Sequence, residues 1–312
     1  MFDDWGRGLQ SGSHEIVEAL RSLARGDDGR AGDINPYRQA AVQIARSMPL
    51  SSSIDEYIER HRDDLLKVQC AKLAIAKAIL EAERSSTMYA DPREDEDPLA
   101  GSPDSWLAHL LRDLTRGVSK NDLGEALSRI VIINFNYDRC VEHFTYHWLQ
   151  RIYDLDELSA GRVCGDLKIY HPYGSLGPLP YAAGDRGVPF GGEVRPARLV
   201  AIAETIKTYS EAVDELAEPS FVRASLSTIR RLIFIGFGFH AQNIRILGAS
   251  GGQRTTLRCY ASTEGIPEPR LDIIRSQLAS AMRVEAPNGL FFDHLRGSCE
   301  AFWQEYGDVL LH

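Results

Sequence analysis

The sequence predicts an α/β fold, in which a Rossmann-like parallel sheet with flanking helices is joined to an α-helical N-terminal or insert region. In the second half of the chain, short apolar runs alternate with segments of helical spacing. These apolar runs end in glycine or polar residues, and no strand-like run precedes Ile130. Alternation of strands with helices is typical of parallel sheets covered by helices.

We therefore expect a helical region over residues 1–128 and a Rossmann-like core over 129–312, together forming one integrated domain. Helices are predicted from His14, from Asn35-Pro36, after a capping box at Ser53, over 65–83, where the chain is apolar on most faces, and from Trp106. Between them, the acidic and proline-flanked stretch within 84–104 predicts a solvated loop, and a docking role is the less favoured alternative.

In the core, strands are predicted at 129–135, 167–171, 231–237 and 257–261, and helices at about 139–153, 199–217 and 268–281. A short strand near Arg283 and a closing helix over 293–306 complete the pattern. The glycine- and proline-rich stretch 177–197 predicts a long loop, and loops of this length are often functional lids.

Composition excludes several classes of protein. The net charge is −9 without a basic cluster, which argues against a nucleic-acid partner. No membrane-spanning run or secretory signal is present, so we expect no membrane partner and a cytoplasmic location. The five cysteines are dispersed and form no C-x-x-C pair, which indicates reduced thiols and no zinc module.

Polar or glycine residues follow each predicted strand, at the end where parallel sheets bind ligands. The candidates, all of them at strand ends or directly after them, are Asn136, Asp138, His171, Gly174, Gly236, Gly238, Asn243 and Ser262. A histidine there can act as a general base, an asparagine can hold a hydroxyl or a water, and glycine permits close backbone approach.

Each candidate also has a purely structural interpretation. Asp138 suits a helix N-cap, Asn136 suits a turn, and His171 could be a half-buried histidine with one hydrogen bond. His143 and His147 have the i, i+4 spacing of metal ligands, but no third ligand is evident, so we expect no metal. Serine-hydrolase chemistry lacks its G-x-S-x-G elbow.

The motifs Phe135-Asn-Tyr-Asp138, His171-Pro-Tyr-Gly174 and Ile235-Gly-Phe-Gly-Phe with Asn243 resemble, in this order, those of the bacterial sirtuin-like proteins. The resemblance extends from about residue 33. It implies a Rossmann-like NAD-binding fold and, in active members, cleavage of the nicotinamide–ribose bond. It also suggests a role in bacterial antiviral defence or stress by NAD depletion, controlled by a regulatory protein or by homo-oligomerisation.

The resemblance further implies roles for individual residues. Asn136 would hold the ribose and the attacking water, His171 would be the general base, and Asp138 would orient Asn136 or the nicotinamide amide. The remaining candidates would bind NAD: Gly174, Gly236, Gly238 and Asn243 close to phosphate or ribose, and Ser262 at the adenosine end.

Three departures from the family pattern limit these roles. The zinc module of protein-deacylating sirtuins is absent, so deacylation is not expected, and Gly238 stands where a small hydroxyl residue is common. The opening strand with its G-A-G-x-S loop is also absent, although Gly6, Gly8 and Gly12 are present.

Because the opening strand is central in a doubly wound sheet, its absence predicts neighbours with unpaired edges. Another segment could fill the gap, or the neighbours could close over it; we expect that the given sequence starts late. The alternative function is a non-catalytic module that binds NAD or an ADP-ribose-type nucleotide, or a degenerate scaffold.

Overall fold

The computed structural model describes residues 13–25, 32–91, 93–94, 96–214, 219–248, 253–286 and 288–311. Within these residues the chain is a mixed α/β protein with 15 α-helices and two small parallel sheets. The α/β class predicted from the alternation of strands and helices is therefore confirmed.

The α-helices and strands follow one another along the chain in a helical first part and an alternating second part. The first part holds α1 (His14–Leu23), α2 (Asn35–Ser47), α3 (Ile54–Arg60), α4 (Leu65–Arg84), α5 (Trp106–Leu114) and α6 (Leu123–Ser128). The second part holds β1 (Val131–Ile133), α7 (Cys140–Tyr153), α8 (Glu157–Cys164), β2 (Lys168–Tyr170), α9 (Pro180–Ala183), α10 (Pro196–Glu204), α11 (Tyr209–Asp214), α12 (Ser220–Thr228), β3 (Arg231–Phe234), α13 (Ala241–Gly248), β4 (Leu257–Ser262), α14 (Glu268–Ala281), β5 (Leu290–Leu295) and α15 (Cys299–Leu310).

The chain divides into two units, each assembled from separate segments. The first unit comprises Met1–Tyr89, Asn136–Cys140 and Tyr173–Glu215, and the second comprises Ala90–Phe135, Val141–Pro172 and Leu216–His312. The domains expected at 1–128 and 129–312 remain predictions, because such units describe contacts and do not test independent folding.

The core of the first unit is formed largely by helices α1, α2, α3, α4 and α10. Leu20 of α1, Ile44 of α2, Leu73 of α4 and Leu199 of α10 lie in one cluster of buried residues. The apolar pattern over 65–83 predicted a buried helix, and α4 indeed buries eight of its side chains. Ser53 caps α3 as expected, with its hydroxyl accepting the Glu56 N–H at 3.1 Å.

All five strands belong to the second unit and pair in parallel. β1 pairs with β2, and a separate sheet has the order β3–β4–β5. Apolar side chains cover both faces of the larger sheet. Leu271 and Ile274 of α14 belong to the cluster on one face, and Phe302 and Trp303 of α15 belong to the cluster on the other.

β1 lies between the same two apolar layers as β3. Val131 and Ile133 pack against the cluster that contains Phe234, whereas Ile132 packs, as Ile233 does, against the cluster that contains Phe302. Within the described residues, however, no strand pairing joins β1 to β3. The two sheets thus share their covering layers without a shared ladder.

This arrangement leaves β1 and β3 each with one strand neighbour, and their burial reflects it. β4, which has two neighbours, buries five of its six residues, whereas β1 buries none of three and β3 one of four. One expectation for a sheet without its opening strand was that the neighbouring strands close over the gap. The described residues do not show this closure, since β1 and β3 are not paired.

Two sequence predictions near the C-terminus are wrong. Residues 290–295 form β5, so the closing helix begins at Cys299 and not at 293. Around Arg283 the structure has a single bridge between Arg254 and Val284 instead of a strand. The run Leu290-Phe-Phe directly precedes the periodic pattern that predicted the helix, and the strand continues through Leu295 into the start of that pattern.

The helix expected over 199–217 is two helices, α10 and α11, within the described residues. Thr208 and Glu211 form a reciprocal capping box: the Glu211 N–H donates to the Thr208 hydroxyl at 3.2 Å, and the Thr208 N–H donates to the Glu211 carboxylate at 2.6 Å. A capping box starts a helix, so the chain must break before it.

The acidic stretch after α4 has no regular helix or strand in its described part, as predicted. Asp97 from this stretch pairs with Arg151 at the end of α7. No helix in the described ranges has both the length and the hydropathy that a bilayer crossing requires.

Hydrogen exchange tests the open edges of β1 and β3. The Asn134 N–H donates to Tyr170 and the Arg258 N–H to Arg230, so by alternation the amides of Ile133 and Ile233 point away from their paired neighbours. We expect the amide of Cys259 in β4 to exchange at least about tenfold more slowly than these two, equivalent to about 1.4 kcal/mol in opening free energy. Equal protection at Ile133 and Cys259 would show that β1 has a second partner.

Candidate functional site

The turn that follows β1 places alternate residues inside and outside the first unit. Tyr137 and Arg139 are buried, whereas Asn136 is exposed and Asp138 is half-buried. Anchoring every second residue holds a short turn in one conformation. The buried Tyr137 and Arg139 therefore fix the positions of Asn136 and Asp138, the two residues predicted to be functional.

Arg139 forms a buried ion pair with Glu83 at the end of α4. The two side chains are 1% and 0% exposed, and Arg139 Nη2 lies 2.6 Å from Glu83 Oε2. Glu83 Oε1 also accepts the Arg139 backbone N–H and Nε–H, both at 3.0 Å. Glu83 Oε2 accepts the Gly191 N–H at 3.0 Å, so both carboxylate oxygens accept two hydrogen bonds.

The remaining donors of Arg139 reach backbone carbonyls of the long loop. Nη1 donates to Gly177 and Val188, and Nη2 donates to Pro189 at 3.1 Å. With the two bonds to Glu83, all five guanidinium N–H groups have acceptors. The stretch expected to be a lid is therefore fastened to the turn through these carbonyls.

Tyr137 anchors the other side of the turn. Its hydroxyl donates to Asp55 Oδ1 at 2.6 Å, and its ring packs into the core of the first unit near Tyr173. Burial, reinforced by the negative charge of Asp55, raises the pKa of Tyr137 far above that of a free tyrosine. Tyr173 has its pKa raised for the same two reasons.

Asp138 and Gly174 have local structural roles in the first unit. Asp138 Oδ1 accepts the Cys140 N–H at 3.1 Å at the start of α7, as expected of a residue that caps a helix. Gly174 has φ +76°, and a Cβ there would lie 1.9 Å from the Thr205 carbonyl oxygen. Packing alone therefore requires glycine at 174.

In the second unit, His171 follows the end of β2 and contacts α7. Its Nε2 lies 2.8 Å from Glu142 Oε1, with the two side chains 11% and 20% exposed. Both residues come after strands of the parallel β1–β2 pair, whose ladder continues through the Asn134 N–H to Tyr170 O bond of 2.8 Å. Parallel pairing therefore brings a histidine and a carboxylate together at one strand end.

The remaining candidates lie at the ends of β3 and β4 or close to them. Gly236 and Gly238 are exposed, and the Gly236 N–H donates to the Ser262 hydroxyl at 2.9 Å. Gly236 has φ +59°, a conformation that favours glycine. Asn243 lies in the first turn of α13, and Ser262 is buried, so its hydroxyl supports the Gly236 loop.

His143 and His147 lie one turn apart on α7, with their rings in edge contact at 4.5 Å between centroids. Burial lowers the pKa of His147. Among the described residues, no group of three or more histidine, cysteine or carboxylate side chains is arranged to hold a metal ion.

The structure thus distributes the predicted residues over both units. Asn136, Asp138 and Gly174 belong to the first unit; the others, His171, Gly236, Gly238, Asn243 and Ser262, belong to the second. Sequence reasoning did not identify Arg139, Glu83, Asp55 or Glu142. Arg139 directly follows the Asn136-Tyr-Asp138 motif and Glu142 comes three positions later, so charged residues close to a candidate turn were the available signal.

Comparison with protein-family models, with curated proteins and with solved structures finds no match for this chain. The family resemblance and the roles it implies therefore stay predictions.

Replacing Tyr137 tests the anchor of the turn. The folded state holds Tyr137 as the neutral phenol. The contribution of Tyr137 to the free energy of unfolding is therefore complete below the ordinary tyrosine pKa of about 10 and is lost as the pH rises above that value. We expect the free energy of unfolding of Tyr137→Phe to be about 1 kcal/mol lower at pH 8, because the variant lacks the hydrogen bond to Asp55. Between pH 8 and 10.5 the free energy of unfolding, measured in urea, should fall less in the variant than in the wild type. An equal fall in both proteins would contradict the role of Tyr137 as a buried neutral anchor.

Proposed function

We propose that this chain has a Rossmann-like NAD-binding fold and hydrolyses the bond between nicotinamide and ribose in NAD. The observation that supports this best is the pairing of His171 with Glu142 at the carboxyl end of the parallel β1–β2 pair. The carboxyl ends of parallel strands are where such sheets bind ligands, and a histidine beside a carboxylate is suited to accept a proton.

The larger sheet of the second unit supports the same proposal. Its strand β3 is followed by the exposed Gly236 and Gly238, whose missing side chains would let a phosphate or ribose approach the backbone. The apolar layers on both faces of β4 are also those expected of a parallel sheet between helices. Asn243 would contribute a polar side chain from α13.

In the proposed reaction, a water molecule attacks C1′ of the nicotinamide riboside. The C1′–N bond breaks, and its electron pair remains on the nicotinamide nitrogen, which neutralises the pyridinium ring. The water oxygen forms the new bond to C1′, and its proton passes to His171 and then to solvent. The products are nicotinamide, ADP-ribose and one proton.

The family resemblance assigns Asn136 to the ribose and the attacking water, and its side chain offers both a donor and an acceptor. Its exposure, between the buried Tyr137 and the preceding strand, suits contact with a ligand. Asp138 would orient Asn136 or the nicotinamide amide. The proposed partners also include a regulatory protein or a second copy of the chain that controls activity.

Incubating the protein with NAD and measuring free nicotinamide tests the proposal. We expect His171→Ala to lower the rate by about 10²-fold or more, because general bases contribute about 10²- to 10⁴-fold. His14→Ala, which removes a solvent-exposed histidine on α1, is the matched control and should keep the wild-type rate.

Equal release of nicotinamide by the wild type and His171→Ala would refute the hydrolase. If neither protein releases nicotinamide but NAD or ADP-ribose raises the melting temperature, the chain is a binding module. If neither ligand changes the melting temperature and no nicotinamide appears, both the hydrolase and the binding module are refuted, and the degenerate scaffold is the alternative that remains.

A further inference from the structure

Glu142 is the partner of His171, and its environment is unusual for a surface carboxylate. It lies in the first turn of α7 with one oxygen, Oε1, at 2.8 Å from His171 Nε2. The other oxygen, Oε2, is buried and accepts no hydrogen bond from the described residues. A buried acceptor without a donor costs free energy, so stability alone does not explain this arrangement.

The chemistry of the pair determines which nitrogen of His171 carries the proton. An ionised carboxylate can accept hydrogen bonds but cannot donate them, so the nitrogen that faces it must carry a hydrogen. That nitrogen is Nε2. In the neutral ring the unprotonated and basic nitrogen is then Nδ1, on the opposite side of the imidazole.

Glu142 lies in the first turn of α7, close to the positive end of the helix dipole. The first turn of a helix presents unpaired N–H groups and a partial positive charge, which stabilises a negative charge there. The helix end and His171 therefore compensate Glu142 from two sides. A fixed carboxylate can hold the ring in a single orientation.

We infer that Glu142 is a positioning residue, which orients the His171 ring through Nε2 and holds it in the Nε2–H form. This role in catalysis rests on the proposed function, whereas the proton on Nε2 follows from the geometry of the pair. The two statements are therefore tested by different measurements on the same full-length protein.

The first measurement is the nuclear magnetic resonance spectrum of the protein labelled with ¹⁵N at histidine, recorded at pH 8.5. The resonances of His171 are assigned by their loss in His171→Ala. We expect one fixed tautomer, with a protonated Nε2 whose proton is shifted downfield by its bond to a carboxylate. A His171 ring with an unprotonated Nε2 would overturn the inference.

The second measurement compares Glu142→Gln, which keeps the shape of the side chain but removes its charge, with the exposed Glu157→Gln on α8. Glu142→Gln should lose the downfield proton and lower kcat for nicotinamide release by about 10- to 100-fold, by analogy with the carboxylates that orient metal-binding histidines. KM should change little, because Glu142 contacts the histidine and not the substrate. Glu157→Gln should match the wild type in both.

The outcomes separate the two claims. A fixed Nε2–H that depends on Glu142, in a protein that releases no nicotinamide, keeps the positioning of the ring and refutes the proposed reaction. Nicotinamide release that needs His171 but is unchanged in Glu142→Gln, with an unchanged His171 spectrum, refutes the positioning role and keeps the reaction. A change in melting temperature alone, with both readouts unchanged, also overturns the inference.

Discussion

The buried pair of Arg139 and Glu83 is the contact on which the arrangement of the first unit depends. Two charges removed from water cost several kcal/mol each unless every hydrogen-bonding group finds a partner, and here all five guanidinium N–H groups and both carboxylate oxygens do. Because those partners come from α4, from the turn after β1 and from the loop near Val188, the pair requires the three segments to fold together. A hydrophobic contact would not impose this requirement, since it has no directional donors to satisfy.

The second unit depends on a different constraint, the parallel register of its strands. Pairing Ile133 with Tyr170 places the residues that follow β1 and β2 at the same end of the ladder, and this explains why Glu142 and His171 meet although 29 positions separate them. The sheets also have a structural cost. In the part of the chain that the structure describes, β1 and β3 share two apolar layers but each bonds to one neighbouring strand. Open strand edges of this kind favour pairing with further strands.

Local patterns predicted much of this fold, because their causes are local. The capping residue Ser53, the apolar run after Ile130 and the periodicity over 268–281 gave elements close to those observed. The ion pair was beyond such reasoning, since nothing near Glu83 indicates a partner 56 positions later. β5 was missed because an aromatic run and a helical pattern overlap around Asp293, and only the pairing with β4 decides between them. The candidate residues were recognisable by type, but their contacts, such as Gly174 with Thr205, depend on distant chain segments.

The most direct test of the central claim is a double-mutant cycle in urea unfolding with Glu83→Ala, Arg139→Ala and the double variant. Each single change leaves one charge buried without its partner, so each should lower the free energy of unfolding by about 3–5 kcal/mol. The double variant should cost little more than either single one, which gives a coupling energy of about 3 kcal/mol. The exposed pair of Arg60 and Glu56, treated in the same way, should show less than about 1 kcal/mol. Additive losses for Glu83 and Arg139, with coupling no larger than in the exposed pair, would contradict the account.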